Sequence, residues 1–369
     1  MLIERITLYH LRMRLKAPFE TSFGSIDTRD CILVEVTADG VDGYGECVAD
    51  RYPGYCYETV GTAWHIMEDF LIPTILGQNI KHPTNYLDQV AGVRGHQLAK
   101  AGIEMALWDV QGKQQGKSLR QLLGGSKERV AVGVSIGIKK SPEKLLASVD
   151  DYLEKGYQRI KIKIKPGRDV KETQLIRKRY PNLALQVDAN SAYTFESAEM
   201  LKPLDDLDLL LIEQPLAEDD LWDHSRLQAE FSTPICLDES IHSLRHARQA
   251  IEMKAGRVIN IKPGRVGGLI QAVSIHDLCQ ERGLPVWCGG MLETGVGRAA
   301  NLALASLPNF TLPGDISASD RYYFEDVTNE LFSLNSDSTI TIPERPGLGV
   351  TINREALKRA PLTNKTYTP

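Results

Sequence analysis

The chain has 369 residues, 43 Lys+Arg against 48 Asp+Glu, a net charge of −5, and 25% charged and 42% hydrophobic residues. That length can bury a large core, and the composition is ordinary for a globular chain of one to three domains. No basic patch interleaved with aromatics occurs, which excludes a nucleic-acid surface, and no run of about 18 apolar residues occurs, which excludes a membrane span.

At the N-terminus, Met1-Leu-Ile-Glu-Arg-Ile-Thr places charges where a secretory leader needs an apolar run. The six cysteines (Cys31, Cys47, Cys56, Cys236, Cys279 and Cys288) match neither a zinc motif nor a disulfide framework. A cytoplasmic chain with reduced thiols is therefore expected. Residues 1 to about 60 alternate apolar and polar in short runs such as Ile32-Leu-Val-Glu-Val. Asp39-Gly-Val-Asp-Gly is a turn signal leading into Tyr44-Gly-Glu, so an antiparallel meander is predicted. Thr62 to Leu71 and Ala99 to Gln114 have helical periodicity, and Gly124-Gly125 closes the region. Residues 1–125 thus read as an α+β capping domain, joined by a C-terminal segment 321–369 that is expected to pack back on it.

From about residue 130 short apolar runs alternate with amphipathic helical stretches. The runs are Val130 to Ile136, Ile160 to Ile164, Leu183 to Val187, Leu209 to Ile212, Pro234 to Leu237, Val258 to Ile261, Pro285 to Cys288 and Phe310 to Leu312. Alternation of strand and helix means a parallel sheet. Eight units over residues 126–320 predict an α/β fold, a (β/α)8-type TIM barrel, with an irregular last unit making it roughly (β/α)7β.

Ionisable residues end the middle runs. The steps from Lys163 to Asp188, Glu213 and Asp238 are 25 residues each, and the step to Lys262 is 24. Equivalent residues of successive units land at one level, the C-terminal end of the strands, where barrel active sites are built. With Lys161 and Lys163 on the second strand and Lys262 on the sixth, the amines face each other across the mouth. Asp188, Glu213 and Asp238 lie on the arc between them. Converging carboxylates repel unless a cation joins them, and hard oxygen ligands favour Mg2+, with Mn2+ or another divalent cation as substitutes. Lys161 beside Lys163 is expected to lower the Lys163 pKa toward that of a useful base. Singly these features are weak: a Lys-Ile-Lys strand is more often an exposed edge, and Asp-Ala-Asn more often a turn or cap. The order Lys–Asp–Glu–Asp–Lys on an even ladder is what points to a catalyst.

Lys161-Ile-Lys163, Asp188-Ala-Asn190, Glu213-Gln-Pro215, Asp238-Glu239-Ser240 and Ile261-Lys262-Pro-Gly-Arg265-Val-Gly-Gly268 resemble the enolase superfamily, muconate-lactonizing subgroup, over essentially the whole chain. Pro18-Phe-Glu-Thr-Ser-Phe-Gly24, Trp287-Cys-Gly-Gly-Met-Leu-Glu-Thr-Gly295 and Leu312-Pro-Gly-Asp-Ile-Ser-Ala-Ser-Asp320 are similar to a narrower branch. That branch comprises o-succinylbenzoate synthases of menaquinone biosynthesis that also racemise N-succinylamino acids. The resemblance implies a metal-dependent enzyme that removes the proton alpha to a substrate carboxylate. Lys163 and Lys262 would be its two bases, and Asp188, Glu213 and Asp238 its ligands. Asn190 and Glu239 would support the ligands, and Arg265 would tune Lys262 by like-charge repulsion. It further implies Phe19, Phe23 and Tyr55 on cap loops over the substrate, Ser135, Gly290 and Met291 lining its pocket, a small succinyl-bearing carboxylate as substrate, and a homo-oligomer.

Alternatives on the same scaffold are a cycloisomerase and a dipeptide epimerase. The epimerases carry Asp-x-Asp after the eighth strand, from which Asp315-Ile-Ser317 departs. Sugar-acid dehydratases of the superfamily use a histidine from the seventh strand, which here ends in Cys288-Gly-Gly. A non-catalytic ligand-binding barrel would take up no solvent deuterium into a test substrate. No Gly-x-Gly-x-x-Gly or Gly-x4-Gly-Lys run supports a nucleotide site.

Overall fold

Period-two alternation at the N-terminus builds three long antiparallel strands, β1 (Ile3–Thr21), β2 (Gly24–Ala38) and β3 (Val41–Cys47). The structure, a computed structural model, describes residues 1–369. Asp39 and Gly40 turn β2 into β3 with φ of 47° and 72°, the left-handed pair that matches strand twist in a two-residue hairpin. A helix, Gln97–Gln115, lies on β3. Gly45 allows the close approach, since a Cβ there would sit 2.1 Å from the Gly102 carbonyl oxygen. Shorter helices, Val60–Ile66, Thr84–Gln89 and Leu119–Leu123, complete this part of the chain, with a π-helical turn at Met67–Leu71.

The remaining strands are β4 (Arg129–Ala131), β5 (Val134–Ile136), β6 (Arg159–Lys163), β7 (Ala184–Asp188), β8 (Ile212–Glu213), β9 (Ile235–Leu237), β10 (Val258–Ile261), β11 (Val286–Cys288), β12 (Thr339–Thr341) and β13 (Pro361–Tyr367). Strands β5 to β11 form one parallel sheet in chain order, as the helix-length connections require. The eight-strand expectation is corrected at Phe310 to Leu312, which forms no strand. Here Phe310 to Asp315 closes the barrel by single bonds: Thr311 N to Val286 O at 3.2 Å, Gly133 N to Gly314 O at 2.8 Å and Asp315 N to Cys288 O at 2.9 Å. Pro313 has no N–H to donate, so a regular ladder cannot run through it.

The C-terminal residues divide between a separate two-stranded sheet and the N-terminal sheet. Strand β12 pairs with β4, and β13 pairs with β1, opposing Tyr367 to Ile6. The larger buried apolar cluster holds Leu11, Met13, Leu33, Met105 and Trp108 together with the barrel residues Ile160, Val187 and Ile261. One core therefore fixes the N-terminal sheet over the barrel, and its loops hang above the strand ends. All six cysteines are free, and no helix is long and apolar enough to cross a membrane.

Candidate active site

Strand register sets the side chains. Lys161 and Lys163 alternate with Ile160 and Ile162 on β6, so both amines point into the barrel while the isoleucines pack outward. Lys165, past the strand end, is partly exposed and pairs with Glu20 at 3.2 Å. Strand β6 and strand β10, which Lys262 directly follows, are four places apart in the sheet. The two amines reach the site from opposed sides, as their strand positions require. Asp188 and Glu213 end β7 and β8, and Asp238 directly follows β9.

Burying an amine is costly unless it is paired, and every one here is paired. Lys163 Nζ donates to Asp188 Oδ2 at 2.6 Å and Asn190 Oδ1 at 2.7 Å. Lys262 Nζ donates to Asp238 Oδ2 at 2.7 Å. Lys161 Nζ lies 2.6 Å from Asp315, 2.8 Å from Glu213 and 3.1 Å from Asp188. These pairs set the charge that each amine meets. Burial works against the Lys161 charge, but Asp315, Glu213 and Asp188 outweigh it and hold the amine well above its ordinary pKa. Its charge is met by three carboxylates, and the nearest ionic neighbour of Lys163 is Asp188, not a bare like charge. Arg265 is buried in the turn Pro263–Val266, ion-paired to Asp238, and donates to Ile241 O at 2.7 Å. Burial and Arg265 both act to lower Lys262, yet Asp238 prevails and raises it.

Asn190 adopts φ of 43°, a left-handed conformation that asparagine tolerates. It donates from Nδ2 to Glu239 Oε1 at 2.8 Å, and its N–H donates to Asp188 Oδ1 at 3.0 Å. Burial, then Asp238 and Asp188, push Glu239 up to about 8. Amines occupy all three carboxylates: Lys163 and Lys161 meet Asp188, Lys161 meets Glu213 and Lys262 meets Asp238. The donor set nevertheless fits a hard cation: three buried carboxylates on neighbouring strands, with the buried Glu239 Oε2 lacking any partner beside them.

A cavity of about 490 Å3 opens above the amines. Lys161, Lys163, Asn190 and Lys262 line its floor, and Phe19, Phe23, Tyr55, Ser135, Gly290 and Met291 all line its walls. Tyr55 does more than cover it. Its hydroxyl donates to Asp238 Oδ1 at 3.0 Å and accepts from Lys262 Nζ at 3.1 Å and Arg265 at 3.1 Å. Hydrogen bonds to charged groups are worth about 1.5–3 kcal/mol, so Tyr55→Phe is expected to lower kcat/KM roughly 10- to 100-fold. Unchanged steady-state kinetics would show the cap tyrosine to be a bystander.

Several contributors were not visible in the ladder. Asp315, which also lines the cavity, bridges Lys161 to Arg159, at 2.6 and 2.7 Å. The Trp287 ring lies 4.8 Å from Lys161 Nζ. Asn260 donates to Glu213 Oε1 at 2.7 Å, and Gln214 Oε1 accepts from the Asp238 N–H at 2.9 Å. Asn260 and Arg159 share strand-interior parity with the ladder residues, a signal that was available. Asp315 follows an irregular segment with no parity to read.

Residues 3–124 match the family described as mandelate racemase / muconate lactonizing enzyme, N-terminal domain, and residues 144–356 match that described as enolase C-terminal domain-like. The o-succinylbenzoate synthase of Geobacillus kaustophilus is 50% identical over 358 residues, 97% of this chain and 95% of its own. The N-succinylamino acid racemase of Thermus thermophilus is 46% identical over 362 residues, 98% of each chain. The crystal structure of an enolase-superfamily member from Listeria innocua superimposes with a TM-score of 0.96 at 40% identity, covering 100% of this chain and 99% of that one.

Proposed function

We propose, from the premise that this chain belongs to the enolase superfamily and its mandelate racemase / muconate lactonizing enzyme family, that it removes the proton alpha to the carboxylate of a succinyl-bearing substrate. It acts as an o-succinylbenzoate synthase, an N-succinylamino acid racemase, or both. The carrying observation is the opposition of Lys163 and Lys262 over one cavity, each seated on its own strand-end acid. The relatives at 50% and 46% identity supply the two named reactions.

Superfamily members generally use a divalent metal, and Asp188, Glu213 and Asp238 are the residues that would hold it here, with Mg2+ the choice their oxygen chemistry favours and Mn2+ a substitute. Bound there, the cation supplies positive charge where the substrate carboxylate becomes more negative. The protein's own groups move the protons. Lys163 takes the alpha proton, breaking C–H and forming N–H. If Lys262 then delivers a proton to the opposite face, the centre inverts. If a beta-hydroxyl departs instead, it leaves as water with the proton that Lys163 carries, while the Lys262 ammonium steadies the enolate. Both outcomes share the costly first step, so one site serves either.

The structure weighs against the nearest alternatives. Asp315 is held by Lys161 and Arg159, and the Ser317 hydroxyl donates to Gly133 O, so neither is free to take a substrate ammonium as in a dipeptide epimerase. No histidine lines the cavity, which leaves a histidine-based dehydration without its base. The reading carries with it a cytoplasmic homo-oligomer, in keeping with the six free cysteines. Protein loaded with Mg2+ in deuterium oxide is expected to place deuterium at the alpha carbon of an N-succinylamino acid and to dehydrate the o-succinylbenzoate precursor. Chelation should stop both, and Mg2+ or Mn2+ should restore them. Exchange at an unaltered rate after chelation, or neither reaction in the loaded protein, refutes the reading.

A further inference from the structure

The buried arginines of this chain are paired with acids: Arg29 with Asp50, Arg159 with Asp315, Arg265 with Asp238 and Arg298 with Asp326. Arg321 breaks the pattern. It lies at the end of the short 3-10 turn Ser319–Arg321, partly buried, and lines the cavity. Its guanidinium sits among the rings of Phe19 (5.6 Å), Tyr152 (5.9 Å) and Tyr322 (5.1 Å). It donates to the Ser135 carbonyl, and its Nε is buried with no partner. The groups acting on its charge, apart from burial, are the tyrosines 322, 152 and 157. A guanidinium removed from bulk water and facing a cavity without a counter-ion is an incomplete anion site.

A second observation points the same way. Ser135 ends up on the same wall, 7% exposed, with a buried Oγ that has no hydrogen-bond partner. Phe19 spaces this corner from the chemistry, its ring 6.0 Å from Lys163 Nζ on one side and 5.6 Å from Arg321 on the other. We propose that Arg321, with the Ser135 hydroxyl, is the specificity subsite that receives a second carboxylate of the substrate, remote from the reacting carbon. This rests on the function proposed above and adds to it the residues that make a succinyl group preferable to an uncharged acyl group. The other cavity-lining arginine without an acid partner, Arg51, is exposed on a cap loop, where water screens it.

The test compares an N-succinylamino acid with its N-succinamoyl analogue, identical in shape but ending in an uncharged amide, in metal-loaded protein. Wild type is expected to favour the carboxylate by roughly 10- to 100-fold in kcat/KM, mostly through KM, the scale of one charge-assisted bond. In Arg321→Met the ratio falls toward one, Arg321→Lys retains part of it, and Arg51→Met keeps it. Calorimetric binding of N-succinylglycine against N-acetylglycine reads the same preference without turnover. Loss of both reactions alongside an Arg321-dependent binding preference would overturn the proposed function and leave the subsite standing. Turnover without any preference in wild type, or a preference abolished by Arg51→Met and not by Arg321→Met, would overturn the subsite alone. Should Arg321→Met fail to fold, the wild-type carboxylate-to-amide ratio still decides, since a ratio near one refutes the proposal.

Discussion

Lys163→Ala and Lys262→Ala are each expected to lower kcat for racemisation and for dehydration by roughly 10³- to 10⁴-fold, the upper range for removal of a positioned proton-transfer group. The geometry makes the effect common to both reactions. Lys163 and Lys262 approach from strands four apart, and both line the cavity. Lys161 cannot stand in for Lys163, because ion pairs to Asp315, Glu213 and Asp188 tether its amine. Residual deuterium exchange, where it survives, should be confined to the enantiomer whose hydrogen faces the remaining amine. Each variant leaves an acid with fewer partners, though Asp238 keeps Arg265 and Tyr55. Circular dichroism and a melting curve therefore accompany the kinetics. A well-folded variant with wild-type turnover in either reaction would end the two-amine assignment.

Asp315→Ala is expected to destabilise the fold by about 3–5 kcal/mol, the cost of leaving a buried charge without its partner. Burial would raise the Asp315 carboxyl, but Lys161 and then Arg159 overcome it and hold the group well below the usual carboxylate range. Arg159 is the residue most exposed to the loss. Its Nε and one terminal nitrogen already lack partners, and its remaining bonds go to the Pro313 and Gly314 carbonyls at 2.9 and 2.8 Å. Those carbonyls belong to the irregular segment that closes the barrel, so the substitution strikes the seam of the sheet. Asp315→Asn keeps the volume and loses the charge, and should fall between Ala and wild type. Urea midpoints measure the series. A drop below about 1 kcal/mol for the alanine variant would mean that Arg159 finds water or another acid, and that the triad is not what braces the seam.

Much of this was legible because it depends on local periodicity. The alternation along β1 to β3, the Asp39-Gly40 turn and the helical spacing of Ala99 to Gln114 are properties of neighbouring residues. The even spacing of Lys163, Asp188, Glu213, Asp238 and Lys262 is likewise a property of a repeated strand–helix unit, and it placed the ladder at one level. The partners of those residues were not legible. The burial of Arg265 against Asp238 depends on how the turn after β10 packs under the N-terminal sheet, where Gly264 meets Val48. The hydroxyl of Tyr55 reaches Lys262 across 207 residues of sequence.

By itself the sequence determined the fold class, the ladder of acids and amines, and the side of the strands on which they stand. Side-chain direction in a strand follows from parity, and parity needs no tertiary information. Only the tertiary structure decided which charge each amine meets. It seated Lys161 among three acids, replaced the last strand with a bonded irregular segment at Pro313, and left Arg321 facing the cavity without an acid. The physical reason is that pairing energy in a buried site depends on distances between residues far apart in the chain, and no spacing along the chain encodes them.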